Sequence, residues 1–168
     1  MRRVELTQIQ VREMFSYDNG KLYWRKKTAK KIVVGMEAGT FRRNDGYRQI
    51  MIDRKVYRTH RLIFLYHHGW TPEIIDHVNQ DPTDNRVENL RSATRVENAY
   101  NCAMRPDNTS GTKGVTWCKN KRKWVARVYV DRTCINLGRF VDKEEAVRIV
   151  KAARIQYHGA FASEGAMQ

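Results

Sequence analysis

From Trp124 to Val130 apolar and polar positions alternate, with Trp124, Ala126, Val128 and Val130 on one face and Val125, Arg127 and Tyr129 on the other. A period of two marks a half-buried strand. Gly114-Val115-Thr116-Trp117-Cys118 precedes it across the basic turn 119–123, and Cys134-Ile135-Asn136-Leu137-Gly138 follows after Asp131-Arg132. The period then changes. Asp142-x-x-Glu145 has the form of a capping box, and Ala146, Val150, Ala153 and Tyr157 make one helical stripe before Gly159. The pattern predicts a three-stranded antiparallel sheet packed on one helix over residues 113–168.

Earlier in the chain, 7–15 reads as a short helix, with Ile9, Val11, Met14 and Phe15 as its apolar side. Asp18-Asn19-Gly20 turns into the alternating strand Lys21–Arg25, and Asn44-Asp45-Gly46 opens a hairpin of 47–52 and 55–59 around Asp53-Arg54. Residues 60–68 read as a helix closed by Gly69. Ile74-Ile75-Asp76-His77-Val78 reads as a short buried strand, the turn formers 81–85 send the chain back, and 89–92 are extended again. Thr94-x-x-Glu97 then caps a helix running to about Met104. Arg105 to Thr112 has the Pro, Asn, Ser and Gly of a linker. The expected class is α+β: a basic β-rich module at 1–59, a strand–loop–strand–helix core at 60–104, a linker at 105–112, and the sheet-plus-helix unit.

Charge adds a partner to this picture. The 168 residues carry a formal +14. Residues 1–59 hold 15 Lys/Arg against 6 Asp/Glu (net +9), 60–104 hold 4 against 6 (net −2), and 105–168 hold 13 against 6 (net +7). Basic flanks around a slightly acidic centre fit a polyanion gripped on both sides of a cation-holding site. An RNA-binding role fits the charge alone equally well. Cys102, Cys118 and Cys134 form no CxxC pair, which argues against structural zinc and against a disulfide framework and points to a reducing, cytoplasmic compartment. The polar residues after Val4 leave no signal-peptide core, and the apolar run 62–66 is far below the roughly 18 residues of a membrane span.

The centre also carries candidate chemistry. A hard cation such as Mg²⁺ takes oxygen ligands, often only one or two of them from protein. Asp76 and Asn98 could be those two, His77 could take a proton from an attacking water, and Asn89 could hold the far ring nitrogen of His77. Capping and turn closure by Asp84, Asn85, Asn89 and Asn98 is the plain alternative. His60, His67 and His68 suit packing or surface roles better than metal ligation.

Tyr57-x-x-His60-Arg61-Leu62, Gly69, Asp76-His77-Val78-Asn79, Asp84-Asn85-Arg86-x-x-Asn89-Leu90 and Glu97-Asn98 together resemble the HNH (ββα-metal) nucleases, in the branch found in phage and intron homing endonucleases. The resemblance implies Asp76 and Asn98 as ligands of Mg²⁺ or Mn²⁺, His77 as general base and Asn89 as the residue that orients it. The last family position is often His and is Asn98 here, an accepted variant within the homing branch. His60-Arg61 matches a family position that suits a scaffold or phosphate contact, and Arg61 is taken as a DNA contact.

Gly114-Val115, Lys123 to Val128, Leu137-Gly138-x-Phe140, Glu144-Glu145-Ala146 and Gly159 resemble the APETALA2-type DNA-binding domain, whose sheet enters the major groove. That resemblance implies DNA contacts by Lys119, Lys121, Arg122, Lys123, Arg127, Tyr129 and Asn136. The expected protein is a monomeric, soluble DNA endonuclease that nicks double-stranded DNA, with no membrane or obligate protein partner, in the host bacterial cytoplasm if phage-encoded. A DNA-binding regulator using the same fold without catalysis is the rival from another class.

Overall fold

Thr7 opens helix α1 (Gln8–Met14) with a reciprocal capping box to Gln10, and the helix buries Val11 and Met14. The chain passes directly into β1 (Phe15–Asp18), which pairs antiparallel with β2 (Lys21–Trp24) through Asn19-Gly20. Strands β3 (Thr40–Phe41), β4 (Arg48–Ile52) and β5 (Lys55–Arg58) form a second antiparallel sheet in that order. Asp53 and Arg54 join β4 to β5 with φ of 47° and 62°, both left-handed. This is the two-residue turn whose twist suits a hairpin. Helix α2 (Thr59–His68) follows and ends at Gly69 with φ 80°. Next come β6 (Ile74–His77), a single 3₁₀ turn at Val87–Asn89 and β7 (Leu90–Ala93).

The computed structural model describes residues 6–43 and 46–163. The expected turn residues Asn44-Asp45 lie outside them. Two compact units result, Met1–Ala93 and Thr94–Gln168. The first has one core, built by Val11 and Phe15 from the start of the chain, Leu22 and Trp24 from β2, Ile50 from β4, Leu62 and Ile63 from α2, Ile75 from β6 and Leu90 from β7. The stretches 1–59 and 60–93 therefore share an interior and are not separate modules, since neither buries a closed core alone.

In the second unit, helix α3 (Arg95–Asn101) has the expected capping box between Thr94 and Glu97 but stops short of Met104, with Cys102 as its cap. It is tied inside this unit. The Tyr100 ring stacks on His158 at 3.7 Å and 8°, its hydroxyl accepts from the Asp131 amide at 3.0 Å, and Lys113 Nζ donates to the carbonyls of Tyr100 and Cys102. That is why the division falls at Ala93/Thr94 rather than at the 105–112 stretch expected as a linker. The turn formers there make a fixed turn, in which Asn108 Oδ1 accepts from the amides of Ser110 and Gly111, both at 2.9 Å.

Strands β8 (Val115–Cys118), β9 (Lys123–Val130) and β10 (Thr133–Phe140) form the antiparallel sheet, with β9 central, and α4 (Lys143–His158) covers it. Val115, Ala126, Ala146 and Val150 make its core. Two positions depart from the simple alternation. Val125 is buried although its neighbours on that face are exposed, and Tyr157 at the end of the α4 stripe is 43% exposed. Asp142 caps α4 from one side only, accepting from the amides of Glu144 and Glu145. Among the described residues no helix is long and apolar enough to cross a membrane.

Candidate active site

The β6–β7 ladder sets Asp76 opposite Arg91 and His77 opposite Leu90. Successive side chains of a strand point to opposite faces, so Asp76 and His77 leave β6 on different sides, and each is 6% exposed. Asp76 Oδ2 accepts from Arg91 Nε at 2.8 Å and pairs with Nη2 at 2.7 Å. The guanidinium thus gives the buried carboxylate two charge-assisted contacts on one oxygen.

His77 Nε2 lies 3.0 Å from Asn85 Oδ1, and Asn85 Nδ2 points to the Thr83 carbonyl at 3.5 Å. The second contact suits the orientation in which the amide oxygen meets the ring. An amide oxygen only accepts, so an imidazole paired in this way donates from Nε2. The side chain at His77 Nε2 is thus that of Asn85, where the sequence suggests Asn89. Asn89 closes the loop instead: its Oδ1 accepts from the Asn79 amide at 3.0 Å, and its Nδ2 donates to Asn79 Oδ1 at 2.9 Å and to the Asp84 carbonyl at 2.8 Å. Its carbonyl also receives the Val78 amide at 2.9 Å. Asn89 thus holds the backbone that carries His77, one step removed from the ring. Both residues are turn formers in one polar loop, and only the loop's path in space decides which reaches the imidazole.

The loop is braced from the N-terminal hairpin. Tyr17 Oη accepts from the Val87 amide at 3.1 Å. Gly20, at φ 82°, lies so close that a Cβ there would stand 2.8 Å from Arg86 N. Arg86 in turn grips Asp84 with Nε at 2.9 Å and Nη2 at 2.7 Å, which holds the Asp84 carboxyl down at about 2. Neither Tyr17 nor Gly20 stands out in the sequence as more than strand and turn.

A second imidazole faces the first. The His60 ring, 9% exposed, stands 5.3 Å from the His77 ring at 79° and 5.1 Å from the Tyr47 ring, over which Arg58 places its guanidinium at 4.7 Å. Burial above all, then the fields of His77, Arg61 and Arg58, push the His60 imidazole from 6.5 down to about 3. Arg61, expected on DNA, is engaged within the protein. Its Nη1 donates to the Glu73 carbonyl at 3.1 Å and its Nη2 to the Pro72 carbonyl at 2.8 Å, pinning the approach to β6.

Asn98 is half-buried on α3, its amide donating to the Thr94 carbonyl at 3.0 Å. Among the described residues its carboxamide has no hydrogen-bond partner, and no three His, Cys, Asp or Glu converge as a metal-binding group. A carboxylate and a carboxamide oxygen are each hard donors of the kind that Mg²⁺ or Mn²⁺ takes. In the second unit Lys119, Lys121, Arg122, Lys123, Arg127, Tyr129 and Asn136 are all exposed. Arg127 stands opposite Asn136, and Tyr129 opposite Cys134, in the β9–β10 register.

Residues 57–100 match the sequence model of a family described as HNH endonuclease. Protein 3.8 of Escherichia phage T7 is 33% identical over 110 residues, which span 64% of this chain and 90% of the phage protein. No solved structure matches. The matched stretch takes in β6, the Asn85/Asn89 loop, β7 and most of α3, so His60, Asp76, His77, Asn85 and Asn89 all lie inside it, and the chain belongs to the HNH endonuclease family.

Proposed function

We propose that this protein is a divalent-metal-dependent endonuclease that nicks double-stranded DNA, of the homing type, with His77 as general base. The observation that carries the reading is the contact between Asn85 Oδ1 and Nε2 of the buried His77 ring, which supports a general base working through Nδ1. His77 removes a proton from the attacking water at Nδ1, while Asn85 keeps Nε2 protonated and so stabilises the imidazolium that forms. Asp76 would hold the cation, which would supply a Lewis acid for charge developing on the phosphate and leaving oxygen. Arg91 shares the charge of Asp76 and fixes its direction. Asn89 and Arg61 keep the His77 loop and the β6 entry in place.

The C-terminal sheet reads the duplex in the APETALA2-like manner. Support comes from the antiparallel sheet on one helix and from the exposed Arg127, Tyr129 and Asn136 beside the 119–123 cationic turn. One set of nuclease residues per chain gives one cut strand per binding event. The rival, a DNA-binding regulator that keeps the fold without catalysis, differs in one assay. Supercoiled plasmid incubated with Mg²⁺ or Mn²⁺ should give open circles before linear DNA. His77→Ala should lower that rate by about 10²–10⁴ with DNA affinity retained. Undiminished nicking by His77→Ala removes His77 from the chemistry, and an inert wild type leaves the regulator.

A further inference from the structure

The loop after β2 carries a combination of side chains that the fold of the first unit does not use. Lys26, Lys27, Lys30 and Lys31 are exposed on it, and just beyond them Val33, Val34 and Met36 are 65%, 59% and 43% exposed. Lys26 pairs with Glu13 at 3.3 Å, and among the described residues the other three lysines meet no carboxylate. Single exposed apolar side chains are ordinary on a surface, but a cluster of them beside a basic run marks a contact. The turn itself does not call for valine. The Met36 amide donates to the Val33 carbonyl at 3.2 Å and Gly35, at φ 85°, takes the left-handed third place. Val34 therefore stands second, where such a turn favours proline. Nor does the core call for it, since the residue of this stretch that packs inward is Ile32.

The tip is held firmly. The Gly35 amide donates to the Trp24 carbonyl at 2.7 Å and the Trp24 amide to the Met36 carbonyl at 3.0 Å, so the turn is laced to a strand whose tryptophan is buried. The Ala38 amide continues the pairing to the Leu22 carbonyl at 2.7 Å. Valine, branched at Cβ, has one stiff torsion, so burying two of them loses little side-chain freedom. Charge then names the occupant. A stiff apolar tip beside a row of ammonium groups fits a surface with an anionic rim and an apolar interior within reach. The minor groove of DNA is such a surface, with phosphates along its rims and stacked bases behind its floor. We propose that residues 26–36 form a DNA contact in which Lys27, Lys30 and Lys31 lie along the phosphates and Val33-Val34 enters the minor groove as a wedge that unstacks a base step. The proposal rests on the DNA substrate of the nuclease reading above and extends it, because the protein then deforms the duplex it cuts. Such a contact reads no base edge; it favours steps that unstack easily, such as pyrimidine–purine.

The test uses the full chain in EDTA, so that nothing is cut, with relaxed closed-circular plasmid and a topoisomerase that needs no metal. Unstacking a base step unwinds the duplex, so the wild type should lower the linking number in proportion to the protein bound. Val33→Asn with Val34→Asn should lose most of that shift yet keep the salt dependence of binding. Val33→Leu with Val34→Leu, which stays apolar, should keep both. The two valines are exposed, so neither pair of changes touches the core. Replacing Lys27, Lys30 and Lys31 together by Ala should flatten log K against log [salt] by about 0.9 for each phosphate released. A shift that survives the asparagine pair, or a slope that survives the alanine triple, overturns the proposal. So does valine-dependent binding to phosphatidylserine vesicles with the linking number unmoved, which assigns the tip to a membrane surface. A wild type that shifts the linking number through its valines but nicks nothing once Mg²⁺ is added sinks the nuclease reading and supports the DNA contact. A wild type that nicks without any shift removes the contact alone.

Discussion

Acid should unfold the first unit through His60. In the folded protein this imidazole stays neutral down to about pH 3, against 6.5 for an unburied ring. Above 6.5 both folded and unfolded chains are neutral at this position and nothing is lost. Between 6.5 and about 3 the unfolded chain takes up a proton that the folded one refuses, so stability falls as pH falls, and the loss levels off below the folded value. For these two values the difference between pH 7 and pH 5 is about 2 kcal/mol, a large share of what holds a small domain together. Urea unfolding followed through Trp24, which is 5% exposed in this core, should show a midpoint lower by roughly 1 M at pH 5. His67 is also lowered, chiefly by desolvation, and acts in the same direction. His60→Phe isolates the larger effect, because it removes only one of the two and should flatten most of the pH dependence. An NMR titration gives the direct check: the His60 ring proton should keep its neutral shift at pH 4. A ring that titrates between 6 and 7, or a variant that loses as much stability as the wild type, refutes the argument.

Three further outcomes follow from the geometry. Asn85→Ala should slow plasmid nicking by between about 10- and 10³-fold with DNA affinity unchanged, because the ring loses its partner at Nε2, and Asn85→Asp should recover part of it; equal rates would return the orienting role to another residue. Gly114→Ala should destabilise the second unit by more than about 2 kcal/mol in urea melts, since φ is 85° there and a Cβ would stand 2.3 Å from the Arg127 carbonyl oxygen. Replacing Lys119, Lys121 and Arg122 together by Ala should flatten the salt dependence of plasmid binding by about 0.9 in log–log slope for each phosphate no longer neutralised, and an unchanged slope would take the 119–123 turn off the DNA.

Much of this is legible in the sequence because the cues are local. The hydrophobic run Ile74-Ile75, the turn formers after it and the Thr94–Glu97 cap specify β6, the loop and α3 without reference to anything distant. Period two in β9 and the stripe on α4 specify the second unit in the same way. What escapes depends on the path of the chain in space. Asn85 and Asn89 are chemically identical and four positions apart, and only the 3₁₀ turn at Val87–Asn89 turns one to the ring and the other to the Asp84 carbonyl. The turn composition of 105–112 suggests a flexible joint, but Asn108 closes it and Tyr100 fastens the preceding helix to His158. His60 next to His77 requires α2 to pack under β6, a tertiary fact with no signature in the spacing.

The hairpin Phe15–Trp24 has a consequence for how such a protein is inherited. The stretch shared with the HNH family begins at residue 57, yet the loop carrying His77's partner leans on a hydroxyl at position 17 and on a bare backbone at position 20. A gene segment coding for 57–100 would transmit the chemistry without the means to hold it, since Val11, Phe15, Leu22, Trp24 and Ile50 would all be left behind. Recombination can therefore exchange what lies ahead of the matched stretch only for a segment that brings its own acceptor for the Val87 amide and its own gap beside Arg86.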